Sequence, residues 1–150
     1  MSPVDFVLPD HTGADFDVSG LRGRRWILFF YPAAMTPGCT TEAGDFRDEY
    51  RAFVDAGYEI VGISPDPPER NARFREEGGF PYRLLSDVDH RVAETFGAWG
   101  VKKNYGREYV GLIRSTFVIG PDGEIEREYR NVRATGHVGR LVGELLDPDS

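Results

Sequence analysis

The sequence reads WILFFYPAAMTPGCTTE at residues 26–42, and the pattern of this stretch predicts two adjoining elements of the fold. Its first six residues are apolar or aromatic without a break, a pattern typical of a strand that is buried on both faces of a parallel sheet. Beyond Cys39, apolar residues recur at steps of three and four and predict one face of a helix that runs to Ala56, before Gly57. The stretch therefore predicts a buried strand that leads into an amphipathic helix through a short loop.

The rest of the chain alternates between strand and helix patterns. Strands are predicted at 58–64, 82–86, 112–119 and 125–130, and helices at 67–77, 90–96 and 135–146. Asp89 is the predicted cap of the helix over 90–96, and the turn at 121–123 predicts a hairpin between the last two strands. This order predicts an α/β fold with a central mixed sheet flanked by helices, parallel in its first part and antiparallel near its end.

Length and composition exclude several classes of protein. A chain of 150 residues is about one domain long, so we expect a single domain over residues 1–150. The net charge of −7 is spread along the chain, which argues against nucleic-acid binding. Because no apolar run is long enough to span a bilayer and no signal-peptide pattern opens the chain, we expect no membrane partner and a cytoplasmic location. One cysteine and scattered histidines predict no metal site and no cofactor.

Cys39 is the residue in this stretch whose side chain is the most reactive. If Thr36 is the N-cap and Pro37 the first helical residue, Cys39 is the third residue of the helix. Its sulfur would then face unpaired backbone N–H groups and the positive end of the helix dipole, which favour a thiolate. A lone cysteine is, however, often only a small buried apolar residue. Composition and spacing leave both interpretations open.

The pattern Pro32-x-x-x-Thr36-x-x-Cys39 resembles the signature of the peroxiredoxins. Residues 31–40 are similar to the bacterioferritin-comigratory-protein or peroxiredoxin Q branch of that family. Further blocks that resemble this branch follow in the expected order, at residues 6–10, 61–66, 84–87, 96–100 and 114–119. The resemblance implies a thioredoxin-like fold and the reduction of hydrogen peroxide and organic hydroperoxides.

The resemblance also implies roles for individual residues. Cys39 would be the peroxidatic cysteine, whose thiolate becomes a sulfenic acid, and Thr36 would hydrogen-bond the sulfur and the peroxide. Pro32 would shield the site from water, and Arg114 would stabilise the thiolate and the transition state. Glu42 would orient Arg114. From the residues alone, a solvated arginine at the end of a strand is the better interpretation of Arg114. Glu42 is equally well explained as a first-turn glutamate that complements the helix dipole.

The chain departs from this branch at Gly44. Many members have a resolving cysteine five residues after the peroxidatic one, and others have it in the next helical region, but Cys39 is the only cysteine here. We therefore expect a one-cysteine mechanism in which thioredoxin, glutaredoxin or a low-molecular-weight thiol reduces the oxidised enzyme. The chain would be a monomer or a homodimer. The alternatives are a peroxide sensor or holdase with little turnover, and a thiol–disulfide oxidoreductase, which the missing Cys-x-x-Cys pair disfavours.

Overall fold

The computed structural model describes residues 3–104 and 106–146. The strands are β1 (Val7–Pro9), β2 (Asp15–Asp17), β3 (Arg25–Phe30), β4 (Tyr58–Ser64), β5 (Arg83–Ser86), β6 (Trp99–Asn104), β7 (Arg107–Leu112), β8 (Ser115–Ile119) and β9 (Ile125–Tyr129). The helices are α1 (Pro37–Asp55), α2 (Pro68–Gly78), α3 (Arg91–Thr95) and α4 (His137–Leu141). A 3₁₀ turn at Val18–Leu21 and a π-helical turn at Val142–Leu146 complete the regular structure of these residues.

The central sheet is mixed, as the sequence predicts. Its strand order is β5-β4-β3-β8-β9, and β3, β4 and β5 run parallel. β8 pairs antiparallel with β3, and β9 with β8, so the predicted hairpin near the end of the chain is confirmed. The carboxyl ends of β3, β4 and β5 therefore meet at one edge of the sheet, which is where α/β folds place their ligands.

Both faces of the sheet are covered, and the apolar run of β3 is the reason. Ile27 and Phe29 pack with α1 and α2 on one face, whereas Trp26, Leu28 and Phe30 pack on the other face with α3 and the 3₁₀ turn. Successive side chains of a strand point to opposite faces, so an unbroken apolar run supplies two cores at once.

Two short hairpins were not predicted. β1 pairs with β2 and β6 pairs with β7, each as a separate two-stranded antiparallel sheet. The β6–β7 hairpin projects Val101 and Val110 into solvent, with 61% and 63% of each residue exposed, so it lacks the clean alternation that predicts a half-buried strand. The predicted strand over 112–119 was too long: β7 ends at Leu112, and β8 begins only at Ser115.

The predicted cap of α3 is correct only in part. Asp89 accepts a hydrogen bond from the backbone N–H of Arg91 at 3.4 Å, but the N-cap residue is His90, which has a left-handed φ of 52° and makes no capping hydrogen bond with its side chain. The closer contacts come from Asp87, whose carboxylate accepts hydrogen bonds from the backbone N–H groups of Val92 (3.2 Å) and Ala93 (2.9 Å). The last helix, predicted over 135–146, begins at His137 with Gly136 as its N-cap residue. It is α-helical to Leu141 and continues as the π-helical turn to Leu146. None of the helices in the described ranges is long and apolar enough to span a membrane.

Candidate active site

The candidate site lies where β3 ends and α1 begins. A loop over residues 31–36 connects the two elements, and α1 starts at Pro37 as the sequence predicts. Cys39 is consequently the third residue of the helix, in the first turn whose backbone N–H groups have no helical partner. The cysteine is only 1% exposed and belongs to the apolar cluster between the sheet and the helices.

Arg114 connects Cys39 to Glu42. Its Nη2 lies 3.3 Å from Sγ of Cys39, and its Nη1 lies 2.6 Å from Oε1 of Glu42. The arginine comes from the turn between β7 and β8, 75 residues after the cysteine in sequence. Its side chain is 14% exposed and that of Glu42 is fully buried. The solvated strand-end arginine, which the residues alone left open, is therefore not what the structure shows.

Burial sets the electrostatics of this group. Desolvation raises the pKa of Glu42 to about 7, although the charge and hydrogen bond of Arg114 act in the opposite direction. Desolvation also acts against the charged guanidinium, but Glu42 and Cys39 outweigh it and hold the pKa of Arg114 above its usual value. The second carboxyl oxygen of Glu42, Oε2, is buried without a hydrogen-bond partner among the described residues. Arg114 therefore stays a full cation beside the sulfur.

Thr36 occupies the N-cap position of α1, but its side chain does not cap the helix. Its hydroxyl instead donates a hydrogen bond to the carbonyl oxygen of Ala33 at 2.7 Å. None of the hydrogen bonds between described residues joins this hydroxyl to the sulfur of Cys39. Since the proton of Oγ1 is used, its lone pairs are left to accept a hydrogen bond. Pro32 is half-buried in the same loop.

A pair of charged residues from the β4–α2 region holds this loop, and sequence reasoning missed both. Oδ2 of Asp66 accepts a hydrogen bond from the backbone N–H of Ala34 at 2.7 Å. Arg70 donates to the carbonyl oxygen of Ala34 at 3.3 Å and forms an ion pair with Asp66 at 3.1 Å. Both backbone groups of Ala34 are thereby fixed immediately before Met35, which adopts a left-handed φ of 64°. The pair thus supports an unfavourable backbone conformation just before Thr36.

A buried polar network continues below this pair. Asn71 accepts a hydrogen bond from the hydroxyl of Tyr31 and donates to Ser64 (3.1 Å) and Ser86 (3.0 Å). Ser64 in turn donates to Asp66 at 2.8 Å. Except for Asn71, which lies in α2, these residues lie at or just beyond the carboxyl ends of β3, β4 and β5. A usable signal was present in the sequence, because polar residues directly after neighbouring parallel strands gather at one edge of a sheet.

The segment over residues 130–136 borders the site on the side of Arg114. The backbone N–H of Val132 donates to the carbonyl oxygen of Arg114 at 2.9 Å. A methyl group added at Gly38 would lie 3.3 Å from Nη2 of Arg114 and 3.6 Å from Cβ of Ala134. Gly38 thus leaves the room in which the guanidinium reaches the sulfur.

Gly44 lies within the unbroken helix α1, in a buried position. Residues five apart in an α-helix are separated by about 7.5 Å along its axis, beyond the usual Cα–Cα range of a disulfide. Even a cysteine at this position could pair with Cys39 only after α1 had unwound. Cys39 is the only cysteine of the chain, so no disulfide can form within it.

Comparisons with known proteins identify the family of this chain. The AhpC/TSA family matches residues 2–128. A putative peroxiredoxin of Mycobacterium tuberculosis is 51% identical over 140 residues, which cover 93% of this chain and 89% of the relative. Peroxiredoxin Bcp of Bacillus subtilis is 42% identical over 143 residues, which cover 95% of this chain and 91% of the relative. The structure of the Xanthomonas campestris bacterioferritin comigratory protein matches with a TM-score of 0.87 and 31% identity, over 93% of this chain and 89% of that one.

Proposed function

Because the chain belongs to the AhpC/TSA family, in its Bcp and peroxiredoxin Q branch, it is a thiol-dependent peroxidase, and we propose that Cys39 is its peroxidatic residue. One observation carries this proposal: the guanidinium of Arg114 lies 3.3 Å from the only sulfhydryl of the chain, in the first turn of α1. A buried cation and unpaired backbone N–H groups around one sulfur favour the thiolate, which is the nucleophilic form.

In the first half of the reaction, Sγ of Cys39 attacks the terminal oxygen of a hydroperoxide. The O–O bond breaks, sulfur is oxidised to a sulfenic acid, and the other oxygen leaves, takes up a proton and becomes water or an alcohol. Negative charge moves from the sulfur to the leaving oxygen along this path. Arg114 already stands at the sulfur, so its remaining N–H donors stabilise that charge without moving.

Thr36, Pro32 and Glu42 would complete the site. The lone pairs of Thr36 Oγ1 would accept a hydrogen bond from the peroxide and align its O–O bond, since the proton of Thr36 is already donated to Ala33. Pro32 would limit the access of water. Glu42 would hold Arg114 through the 2.6 Å contact, which fixes the guanidinium plane toward the sulfur.

In the second half, an external thiol must restore the enzyme. A first thiol attacks the sulfenic acid, releases water and forms a mixed disulfide with Cys39, and a second thiol displaces the Cys39 thiolate and leaves as a disulfide. Thioredoxin, glutaredoxin and low-molecular-weight thiols can all perform these steps. The chemistry fits antioxidant defence in the cytoplasm, where thiol reductants are abundant. The Xanthomonas relative reduces alkyl peroxides, which favours organic hydroperoxides among the substrates.

Mass spectrometry after a single addition of peroxide tests this proposal. One equivalent should add one oxygen to the monomer, and dimedone should trap that species at Cys39. Excess peroxide without thiol should add two or three oxygens and abolish activity, because no second cysteine intercepts the sulfenic acid. Added thiol should give a mixed disulfide and protect the enzyme.

Two outcomes would contradict the proposal. If the main product is a disulfide-linked dimer through Cys39, formed as fast as the peroxide disappears, the resolving thiol is that of a second copy of the chain. If Cys39 is oxidised but no reductant supports steady-state turnover, the chain acts as a peroxide sensor or holdase instead.

A further inference from the structure

A shallow cavity of about 380 Å³ lies in the segment that follows β9, and three arginines line it: Arg130, Arg133 and Arg140. We call it the arginine cavity. None of the described acidic residues lines it. His137, which also lines the cavity, has its pKa lowered to about 4 by burial and by nearby arginines, so at neutral pH it adds no charge. The chain as a whole carries −7, so this cationic cavity stands out from the rest of the molecule.

The three guanidinium groups retain donors for a ligand. Arg133 is exposed and has no ion pair with any other described residue. Arg140 uses its Nε in a 2.7 Å contact with Glu144, yet its side chain remains 62% exposed. Arg130 contacts Glu128 through Nη2 at 3.0 Å and donates from Nη1 to the carbonyl oxygen of Phe96 at 2.7 Å, and its side chain remains 44% exposed. Because a guanidinium has five N–H donors in a fixed fork, a carboxylate can still be bound by two of them at once.

The arginine cavity lies beside the candidate active site. Its segment contains Ala134, the residue that a methyl group at Gly38 would contact at 3.6 Å, and Val132, whose N–H donates to Arg114. The same segment therefore borders the first turn of α1 and the backbone of the arginine that contacts the sulfur.

We infer that the arginine cavity binds the carboxylate of a low-molecular-weight thiol and directs its sulfur toward oxidised Cys39. This inference rests on the proposed function and selects one of the three reductant classes that could restore the single cysteine. Attraction between a carboxylate and an arginine raises the local concentration of the thiol, which replaces the proximity that a resolving cysteine within the chain would supply. The reaction itself is unchanged: the thiol sulfur bonds to Cys39 and water leaves.

Thiols that differ in charge test this inference in a single turnover. Cys39 is oxidised with one equivalent of peroxide and mixed with 3-mercaptopropionate, 2-mercaptoethanol or cysteamine, and mixed-disulfide formation is followed by mass spectrometry. The rate in each variant is divided by the parental rate with the same thiol, which cancels the intrinsic reactivity of each reagent. Arg133→Gln should slow the anionic thiol about three- to fivefold relative to the neutral one, as expected for one charge at close range in a solvated site.

Charge reversal and a matched control sharpen the result. Arg133→Glu should slow 3-mercaptopropionate further and speed cysteamine, and added salt should reduce both effects. Arg51→Gln removes the same charge from an 89% exposed side chain on α1 and should leave the ratios unchanged. Equal changes for all three thiols, or no change for any, would overturn the inference.

A second measurement does not depend on peroxidase activity. Reduced Cys39 attacks 3,3′-dithiodipropionate or 2-hydroxyethyl disulfide to form the same mixed disulfides, with release of one thiol. Arg133→Gln should slow only the reaction with the dicarboxylate. If Cys39 does not react with peroxide, the proposed function fails, yet this comparison still decides whether the cavity selects carboxylates.

Discussion

Replacing Arg114 with glutamine removes the cation that faces Cys39. At an effective dielectric constant of about 20, a unit positive charge 3.3 Å from a thiolate contributes about 5 kcal/mol of attraction. The effect on rate is smaller, because the arginine stabilises the ground-state thiolate as well as the transition state. Loss of one preorganised donor costs about 10²–10³ in rate, or about 2.7–4 kcal/mol. We therefore expect Arg114→Gln to slow oxidation of Cys39 by this factor.

The variant has a structural side effect that must be separated from catalysis. Glu42 is fully buried and its only ion-pair partner among the described residues is Arg114, so the single change leaves a buried carboxyl group unpaired. Burial already raises the pKa of Glu42 to about 7, and loss of the guanidinium raises it further, so the carboxyl group is protonated at neutral pH. The cost in stability is that of a buried polar group that has lost its hydrogen bond, about 1–3 kcal/mol. The double variant Glu42→Gln with Arg114→Gln removes both charges and should recover much of that stability. Its oxidation by peroxide should remain as slow as in the single variant.

The assay is rapid-quench mass spectrometry of Cys39 after one addition of peroxide, with circular dichroism and urea unfolding on each variant. A folded double variant that is oxidised at the parental rate would refute the role of Arg114. A double variant that recovers the parental rate, while the single variant stays slow, would show that the single variant failed through the unpaired carboxyl group rather than through the lost cation.

Three further changes have defined outcomes. Thr36→Val removes the 2.7 Å hydrogen bond to Ala33 and the acceptor lone pairs, and should slow oxidation of Cys39 about 10²-fold with the fold retained, as measured by the same quench assay and circular dichroism. Asp66→Ala removes the acceptor of the Ala34 N–H and the ion-pair partner of Arg70, and should raise KM for peroxide more than it lowers kcat. Asp66→Asn should recover part of this loss through its amide oxygen. A loss of stability without any kinetic change would contradict a positioning role. His137 has a folded pKa of about 4 against 6.5 unfolded, so the unfolded chain binds its proton first and stability falls as pH drops from 6.5 to 4. The free energy of unfolding should fall by up to about 3 kcal/mol over this range. Urea unfolding at pH 7 and 4.5 should show a smaller difference in stability between the two pH values for His137→Gln than for the parent protein.

The sequence alone was sufficient to predict the main strands and helices of this protein and the position of Cys39 among them. The apolar run Trp26–Tyr31 favoured a strand buried on both faces, because it is strand-sized and rich in aromatic residues, and five of its six residues lie in β3. The helical spacing after it, with Pro37 at its start and Gly57 beyond its end, determined α1 and placed Cys39 in the first turn. The resemblance to the peroxiredoxins rested on residues near in sequence, and the comparisons confirmed it. All of these features depend on local pattern, which a chain carries in its order of residues.

The resemblance implied that Arg114 and Glu42 belong to the site, but the contacts around the sulfur come from the packing of elements that are distant in sequence. Arg114 and Cys39 are 75 residues apart, and antiparallel pairing of β8 with β3 brings the turn before β8 to the start of α1. The hydrogen bonds from Asp66 and Arg70 to the backbone of Ala34 depend on the parallel register of β3 and β4. The hydrogen bond from the Thr36 hydroxyl to Ala33 depends on the left-handed conformation of Met35. A hydrogen bond acts over about 3 Å, whereas sequence pattern specifies only which face of an element a residue occupies. The contacts around Cys39 are therefore a property of packing between elements.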